Sequence, residues 1–225
     1  MPAKRSILFI ILCGHLYAQS QANKTIKFIP VFDQQTIQEG IYISNGNQDS
    51  VQFNTLKFYL SGVQLFKKEK KVWAEENSYH LVNVFDPKHY DIKIKDVEFD
   101  KINFSLGLDS TINNSGALGG DLDPTTGMYW AWQSGYINVK IEGKYKTRDN
   151  KINDFSYHLG GYLFPFVTIQ SLELELNNSN TSVIYIDLSL FIQSIDFNNQ
   201  KDVMSPGSGA VKLSSILVKC FRAKQ

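Results

Sequence analysis

The stretch FNTLKFYLSGVQLF, residues 53–66, decides the fold. Apolar side chains recur at every second position from Phe58 to Leu65, and the alternation breaks once, at Ser61–Gly62. Such alternation predicts a long β-strand with one side turned towards a core, and the break predicts a bulge or bend within the strand.

Shorter β-rich runs of the same kind, separated by Asn, Asp, Gly and Ser, recur along the chain. We predict strands at about 25–32, 40–44, 53–66, 78–85, 100–107, 134–143, 154–160, 168–176 and 182–188. Nine short strands with turns between them predict an all-β domain, a mostly antiparallel β-sandwich. After Pro206, apolar residues at helical spacing predict a short C-terminal helix over about 209–221, capped by Ser208.

The composition supports a packed domain and excludes binding that is driven by net charge. Of the 225 residues 43% are hydrophobic, and the 15 Phe and 11 Tyr favour strands over helices. The 23 basic and 22 acidic residues balance, so no field is strong enough to attract a nucleic-acid backbone. The chain also lacks a Gly-x-Ser-x-Gly elbow, a phosphate-binding Gly-Lys-Ser/Thr loop and a His-Glu-x-x-His pair, so nothing in it predicts an enzyme.

The N-terminal residues 1–22 have the pattern of a Sec-type signal peptide. Two basic residues precede an apolar run, Ser6–Leu12, that is too short to span a bilayer. Cys13 follows a leucine where a lipoprotein signal would have a small residue, so we expect no lipid anchor. We therefore predict one domain, residues 23–225, that is exported to the periplasm or beyond and is not inserted in a membrane.

Two histidines are candidates for metal ligands. His80 and His158 each stand in a Tyr-His-Leu triplet on a predicted strand. Two imidazoles from different strands could converge on one metal, and imidazole suits copper or zinc. The alternative is two separate, hydrogen-bonded histidines at strand edges. His89 lies in a predicted turn and is interpreted as a solvated loop residue.

The second candidate feature is the tryptophan segment that follows a long region without strand pattern, residues 109–129. If the segment is a strand, Trp130 and Trp132 share one face. Three roles stay open for the pair: core packing, a platform that stacks sugar rings, and a place beside a metal. Met204 is a candidate thioether ligand for Cu(I), although a methionine before a turn is often a packing residue.

The long region also carries three carboxylates that could bind calcium. These are Asp109, Asp121 and Asp123. Carboxylate oxygens suit calcium, but their spacing matches no EF-hand loop. Calcium is therefore a secondary expectation.

The segment LDPTTGMYWAWQSGYINVKIEG, residues 122–143, is similar to the MbnP family of secreted, methanobactin-associated copper-binding proteins. Further segments resemble the family in order and spacing: LKFYLSGVQLF (56–66), YHLVNVFDP (79–87), FSLGLDSTINNSGALGGDLDP (104–124), FSYHLGGY (155–162) and VMSPG (203–207). The resemblance covers essentially the whole chain after the signal peptide.

The resemblance implies an exported β-sandwich protein that binds copper, as Cu(I), through histidines beside a tryptophan that is oxidised to kynurenine. A di-haem, peroxidase-like enzyme performs that oxidation in the family. The matching positions are His80, His158, Trp130 and Trp132. Some relatives carry a further histidine where this chain has Tyr129, and others carry one in the stretch that is Lys201–Val203 here, so this chain is expected to bind copper more weakly or through other groups.

We therefore expect a copper-binding or copper-trafficking protein rather than an enzyme, with a metal site formed by the two histidines and the two tryptophans. Two alternatives remain at this point. One is a secreted carbohydrate- or surface-binding module that uses the exposed rings of the tryptophan pair without metal. The other is a structural secreted domain that has lost its metal site.

Overall fold

The computed structural model describes residues 23–44, 49–133, 135–176, 183–197 and 199–223. The predicted signal peptide, residues 1–22, lies outside the described residues. Among the described residues, no helix combines the length and apolar character needed to cross a membrane.

Strands make up most of the regular structure. They are β1 Asn23–Phe32, β2 Gln35–Thr36, β3 Tyr42–Ser44, β4 Ser50–Lys67, β5 Lys70–Ala74, β6 Tyr79–Asn83, β7 Asp91–Lys95, β8 Lys101–Leu106, β9 Tyr129–Trp130, β10 Gly135–Lys146, β11 Ile152–Gly160, β12 Gln170–Glu175, β13 Val183–Asp187, β14 Asp202–Val203 and β15 Phe221–Ala223. The α-helices are α1 Ser110–Asn114, α2 Ser189–Gln193 and α3 Ser208–Leu217. The all-β prediction with a short C-terminal helix is confirmed.

The described strands form two sheets. The smaller contains five strands in the order β15-β13-β1-β2, with β7 also paired to β1. The larger contains ten strands around the order β12-β8-β4-β10-β11-β14, with β3, β5 and β6 also on β4 and β9 on β10. Pairing is antiparallel except for β1 with β13 and β11 with β14. The sheets are therefore mixed, although mostly antiparallel.

One hydrophobic core joins the two sheets. Phe28 of β1 meets Phe58 of β4 and Phe104 of β8 edge to face, with ring centroids 5.6 and 6.3 Å apart. Phe221 of β15 packs on the same two rings from the C-terminal end. Edge-to-face aromatic pairs add to the gain from burying their area, so these rings hold the sheets face to face.

A second, smaller core lies on the other face of the large sheet. Phe58 and Leu60 turn towards the main core, whereas Tyr59 between them is buried in a cluster with Met128, Trp130, Tyr136 and others. Successive side chains of a strand point to opposite faces, so the continuous apolar run of β4 is explained by burial on both sides.

The details differ from the sequence-based expectations in a few places. The register of β4 shifts between Ser61 and Gln64, which confirms the predicted bulge. The C-terminal helix ends at Leu217 and is capped by Gly207, so Ser208 is not its cap as predicted. The residues after the helix, Phe221–Ala223, form β15 and pair with β13, and the ring of Phe221 is buried in the main core.

Candidate metal centre

The long segment after β8 covers the outer face of the large sheet and carries Trp130. Two buried asparagines fix its start. Asn138 accepts a hydrogen bond from the Leu108 N–H and donates to the Thr168 hydroxyl, at 2.9 Å each. Asn113 accepts from the Tyr136 N–H at 2.9 Å and donates to the carbonyl of Leu108. A buried amide with all its partners satisfied favours one arrangement, so the segment is held firmly against β10.

Two lysines fix the other end of this segment. Lys57 donates to the Thr126 carbonyl at 3.1 Å, and Lys140 lies 3.5 Å from the Gly127 carbonyl. Both lysines lie directly opposite each other on β4 and β10, on the face of the second core. The segment therefore ends in a fixed position just before Trp130.

The indole of Trp130 is packed on the backbone of Gly160. A Cβ atom at Gly160 would lie 2.6 Å from one ring atom of Trp130 and 2.8 Å from another. Only a glycine leaves room for the ring at this contact. Gly160 lies two residues after His158 on β11, so the indole and the imidazole project on the same face of the sheet.

Trp132 lies in the turn after β9, not in a strand, but its ring still contacts Trp130 at 5.9 Å between centroids. The two tryptophans differ in exposure: Trp130 is 5% exposed and Trp132 is 66% exposed. A platform that stacks sugars on both rings requires both to be accessible. The burial of Trp130 leaves only one ring for that alternative.

His158 is 7% exposed and is hydrogen-bonded to a carboxylate. Its Nε2 lies 2.8 Å from Oε1 of Glu142, whose other oxygen accepts from Thr55 at 2.9 Å. Burial raises the pKa of the Glu142 carboxyl, but the hydrogen bonds from His158 and Thr55 and the nearby Lys140 outweigh burial and hold that pKa below its ordinary value. A carboxylate on one imidazole nitrogen orients the ring and leaves the other nitrogen, Nδ1, for a metal.

Met204 directly follows β14, the strand that pairs with β11. Val203, the last residue of β14, pairs in parallel with Tyr157, the residue before His158. The thioether of Met204 is half exposed. His158, the two indoles and Met204 therefore all belong to β11 or to segments that contact it or pair with it.

His80 has the same local chemistry in another place. Its Nε2 lies 2.6 Å from Oε2 of Glu75, which also accepts from the Ser78 hydroxyl at 2.7 Å. Burial raises the pKa of the Glu75 carboxyl, but the hydrogen bonds from His80 and Ser78 outweigh burial and lower that pKa overall. This imidazole too is oriented by a carboxylate.

The structure does not bring His80 and His158 together. His80 lies opposite Leu60 on β4, whereas His158 lies opposite Lys140, which in turn lies opposite Lys57. Lys57 and Leu60 are three positions apart on β4, so the two histidines lie on opposite faces of the sheet. Two further strands separate them, and each strand step is about 4.8 Å.

No three His, Cys, Asp or Glu side chains meet as a metal-binding group within the described parts of the chain. The assignment of His80, His158, Trp130 and Trp132 as metal ligands stays a prediction. The structure places His158, Trp130 and Trp132 on one side of the large sheet and His80 on the other.

The three loop aspartates each hold a different part of the protein. Asp109 caps α1 through the Ile112 N–H, Asp121 accepts from the Leu81 N–H, and Asp123 accepts from Thr125. Their carboxylates are thus used as caps and clamps, and they do not form one calcium cage. His89 is exposed and bonded to Asp86, as expected for a loop residue.

Glu142, Glu75 and Gly160 were not singled out from the sequence. The two glutamates lie 16 and 5 residues from their histidines, and no local spacing marks them. The alternation of side chains along β10 predicts that Lys140 and Glu142 lie on the same face of the sheet. Only the pairing of β10 with β11 shows that His158 lies on that face too.

Comparison with known proteins gives two matches. The sequence model of the MbnP family matches residues 21–205. Among solved structures, MbnP from Methylosinus trichosporium superposes with a TM-score of 0.57 at 14% identity, over 84% of this chain and 82% of that one. That likeness shows a shared fold. No curated protein sequence matches the chain.

Proposed function

Because the chain belongs to the MbnP family, we propose that it is an exported copper-binding protein that carries copper rather than catalysing a reaction. Proteins of this family are secreted or periplasmic and are linked to methanobactin systems. The observation that carries the proposal is the environment of His158: a carboxylate on Nε2, the indole of Trp130 packed on Gly160 two residues along the same face, and Met204 directly after the strand that pairs with β11.

The donor set suits copper in its reduced state. Thioether ligands select Cu(I), and imidazole also binds copper. In this proposal the His158 imidazole and the Met204 thioether hold the ion, and Trp130 and Trp132 form the wall beside it. Glu142 orients the imidazole and offsets the charge of Lys140, whose Nζ lies 3.5 Å from the carboxylate.

The tryptophan pair is the expected target of maturation. By family resemblance, a di-haem, peroxidase-like partner would oxidise one tryptophan to kynurenine. Trp132 is the ring that such a partner reaches from solvent, since Trp130 is buried behind it. Peptide mass spectrometry of protein from its native host would locate the modification on one ring or the other.

Copper competition with a chromophoric Cu(I) chelator tests the site. We expect His158→Ala and Met204→Leu each to lower the Cu(I) affinity at least about 10-fold, because each removes a ligand. His89→Ala is the matched control, since that histidine is exposed in a loop far along the chain from these ligands. His80→Ala should leave the affinity within about 2-fold, because His80 lies on the other face.

Three results would contradict the proposal. Unchanged affinity in His158→Ala, with wild-type binding intact, would remove the proposed site. A loss in His80→Ala as large as in His158→Ala would show that the two histidines act on one ion, contrary to the register of the sheet. Absence of Cu(I) binding by the wild-type protein would reject the function itself.

A further inference from the structure

A groove of about 650 Å³ lies on the outer face of the smaller sheet, the face turned away from the large sheet. Ile184 and Ile186 of β13 point into the main core, so Tyr185 and Asp187 point outwards. Val31 of β1 lies beside Asp187 on this face, and it is 2% exposed although neither core formed by the described residues includes it. Val31 and Tyr185 are therefore the apolar part of the groove.

One side of the groove is the turn between β1 and β2, which has an unfavourable backbone. Asp33 and Gln34 form this two-residue turn, and both have a positive φ, +45° and +67°. Such a turn favours Asp or Asn followed by Gly, because a longer side chain is strained at the second position. The Asp33 N–H donates to the Ser189 hydroxyl at 2.8 Å, and that hydroxyl donates to Asp187 at 2.7 Å, so the turn is fixed against β13.

A second turn of the same kind shows how a side chain in this position is used. Lys68 and Glu69 join β4 to β5, also with two positive φ angles, +47° and +62°. There the Glu69 carboxylate accepts a hydrogen bond from the buried Lys101 at 2.6 Å. Within the described parts of the chain, neither the Asp33 carboxylate nor the Gln34 amide has a hydrogen-bond or ion-pair partner. Both side chains line the groove, where only a ligand or water can supply their partners.

The other side of the groove is formed by Arg222 of β15. Arg222 lies opposite Tyr185, with its guanidinium 5.2 Å from the centre of that ring. Its Nη2 lies 3.6 Å from Oδ2 of Asp187, which is too long for a hydrogen bond. Among the described residues, the guanidinium therefore donates no hydrogen bond and Oδ2 of Asp187 accepts none. A set of donors and an acceptor thus stand side by side on the groove with unused capacity.

These groups favour a neutral ligand with many hydroxyl groups. An anionic ligand would meet the carboxylates of Asp33 and Asp187, and a cationic ligand would meet the guanidinium of Arg222. A hydroxyl group both donates and accepts, so neighbouring hydroxyls of a sugar match a donor and an acceptor that lie 3.6 Å apart. The carbon–hydrogen faces of a sugar suit Val31 and Tyr185. Small-molecule sites of about 300–1,000 Å³ combine such an apolar lining with a few polar groups.

We propose that this groove binds a neutral oligosaccharide, whose hydroxyl groups are held by the side chains of Asp33, Gln34, Asp187 and Arg222. The proposal does not rest on copper binding, because the main core separates the groove from His158 on the outer face of the large sheet. The oligosaccharide proposal and the copper proposal therefore succeed or fail separately.

Isothermal titration calorimetry of the full mature chain with four oligosaccharides tests the groove. The probes are maltohexaose, cellohexaose, laminarihexaose and N-acetylchitohexaose, and we expect at least one to bind with a dissociation constant of about 10 μM to 1 mM. The double variant Asp33→Asn/Gln34→Gly should raise that constant at least about 10-fold, because it removes a carboxylate and an amide from the groove. Its fold should be kept, since Asn-Gly is the sequence that this turn favours. Arg222→Met, which keeps an apolar stem and removes the donors, should weaken binding at least about 10-fold as well.

The matched control is Lys68→Asn/Glu69→Gly, which makes the same change in the other turn of this kind, away from the groove. Lys101 keeps its ion pair with Glu173 in this variant, at 3.3 Å, and the dissociation constant should stay within about 2-fold of the wild type. Binding that weakens in both groove variants and not in the control supports the proposal. Absence of binding by all four probes overturns it, and so does wild-type binding by the Asp33→Asn/Gln34→Gly variant. Melting temperatures of the variants confirm that they are folded.

Discussion

Replacing Gly160 by alanine tests the contact on which the candidate metal centre depends. The added methyl group would lie 2.6 and 2.8 Å from two ring atoms of Trp130 and 2.7 Å from the carbonyl oxygen of Tyr136. The carbonyl belongs to β10, which pairs with β11 at this point, so it cannot move away without breaking the sheet. The indole must move instead, away from the face that it shares with His158.

The expected cost follows from these contacts. Overpacking a close-packed site costs about 1–3 kcal/mol, and one rigid neighbour and one large ring place Gly160→Ala in the upper part of that range, about 2–3 kcal/mol. For a domain of this size each kcal/mol lowers the melting temperature by about 2–4 °C, so we expect a fall of about 5–10 °C. The coupled circular dichroism signal of the two indoles should change as well, because their rings are only 5.9 Å apart.

Urea unfolding and near-UV circular dichroism measure both effects. Gly119→Ala is the control, since Gly119 has a negative φ and a Cβ added there would have nothing within 4 Å. In a Trp130→Leu background, Gly160→Ala should cost less than in the wild type by at least about 0.5 kcal/mol, because the ring it displaces is gone. A free energy of unfolding within about 0.5 kcal/mol of wild type, with an unchanged indole signal, would refute the packing of Trp130 on Gly160.

Four further outcomes are expected. The folded-state pKa of Glu142 lies below its ordinary 4.5, so the carboxylate contributes fully to stability above pH 4.5, and this contribution is lost as the pH falls through the folded-state pKa. Melting temperatures measured against pH should show this loss of stability, and Glu142→Gln should make the loss smaller. Cys220 is 2% exposed and burial raises its pKa to about 12, so a thiol reagent should label it only after denaturation; rapid labelling of the native protein would contradict its burial. EGTA should leave the melting temperature unchanged, because the carboxylates of Asp109, Asp121 and Asp123 have separate protein partners; a fall would show a calcium site. Asp202→His should raise the Cu(I) affinity at least about 10-fold in the competition assay, because residue 202 pairs with Ser156 and therefore shares a face with His158. The control Asp91→His, on β7 of the other sheet, should leave the Cu(I) affinity unchanged.

The long strands were predictable from the sequence because a strand with one buried face alternates apolar and polar residues, and a strand with two buried faces is a continuous apolar run. The run at 53–66 gave both the strand β4 and its bulge at Ser61–Gln64. Short edge strands such as β5 and β7 were missed: β5 is almost wholly exposed and has no alternation, and the alternation of Ile92 and Ile94 in β7 is only five residues long. A strand of this kind is defined by its partner more than by its own residues.

The candidate site was predictable only in its parts. The two Tyr-His-Leu triplets look equivalent in the sequence, and alternation correctly turns each histidine away from its neighbours. The face on which each histidine lies depends on how four strands pair with one another. This pairing joins residues far apart in the chain, so the spacing of neighbouring residues does not predict it. The partners Glu142 and Glu75 were hidden for the same reason.

The register of β11 also shows where this chain differs from the family pattern of histidines. The family resemblance implies further histidines at two positions, which are Tyr129 and the stretch Lys201–Val203 in this chain. Tyr129 precedes the ring that lies on Gly160, and the second stretch includes β14, which pairs with β11 beside His158. The second position therefore lies on the strand that pairs with β11 next to His158, whereas the first directly precedes Trp130. Under the proposal that His158 and Met204 hold the ion, one imidazole and one thioether would favour Cu(I), which soft donors select, over an ion that needs several imidazoles or carboxylates.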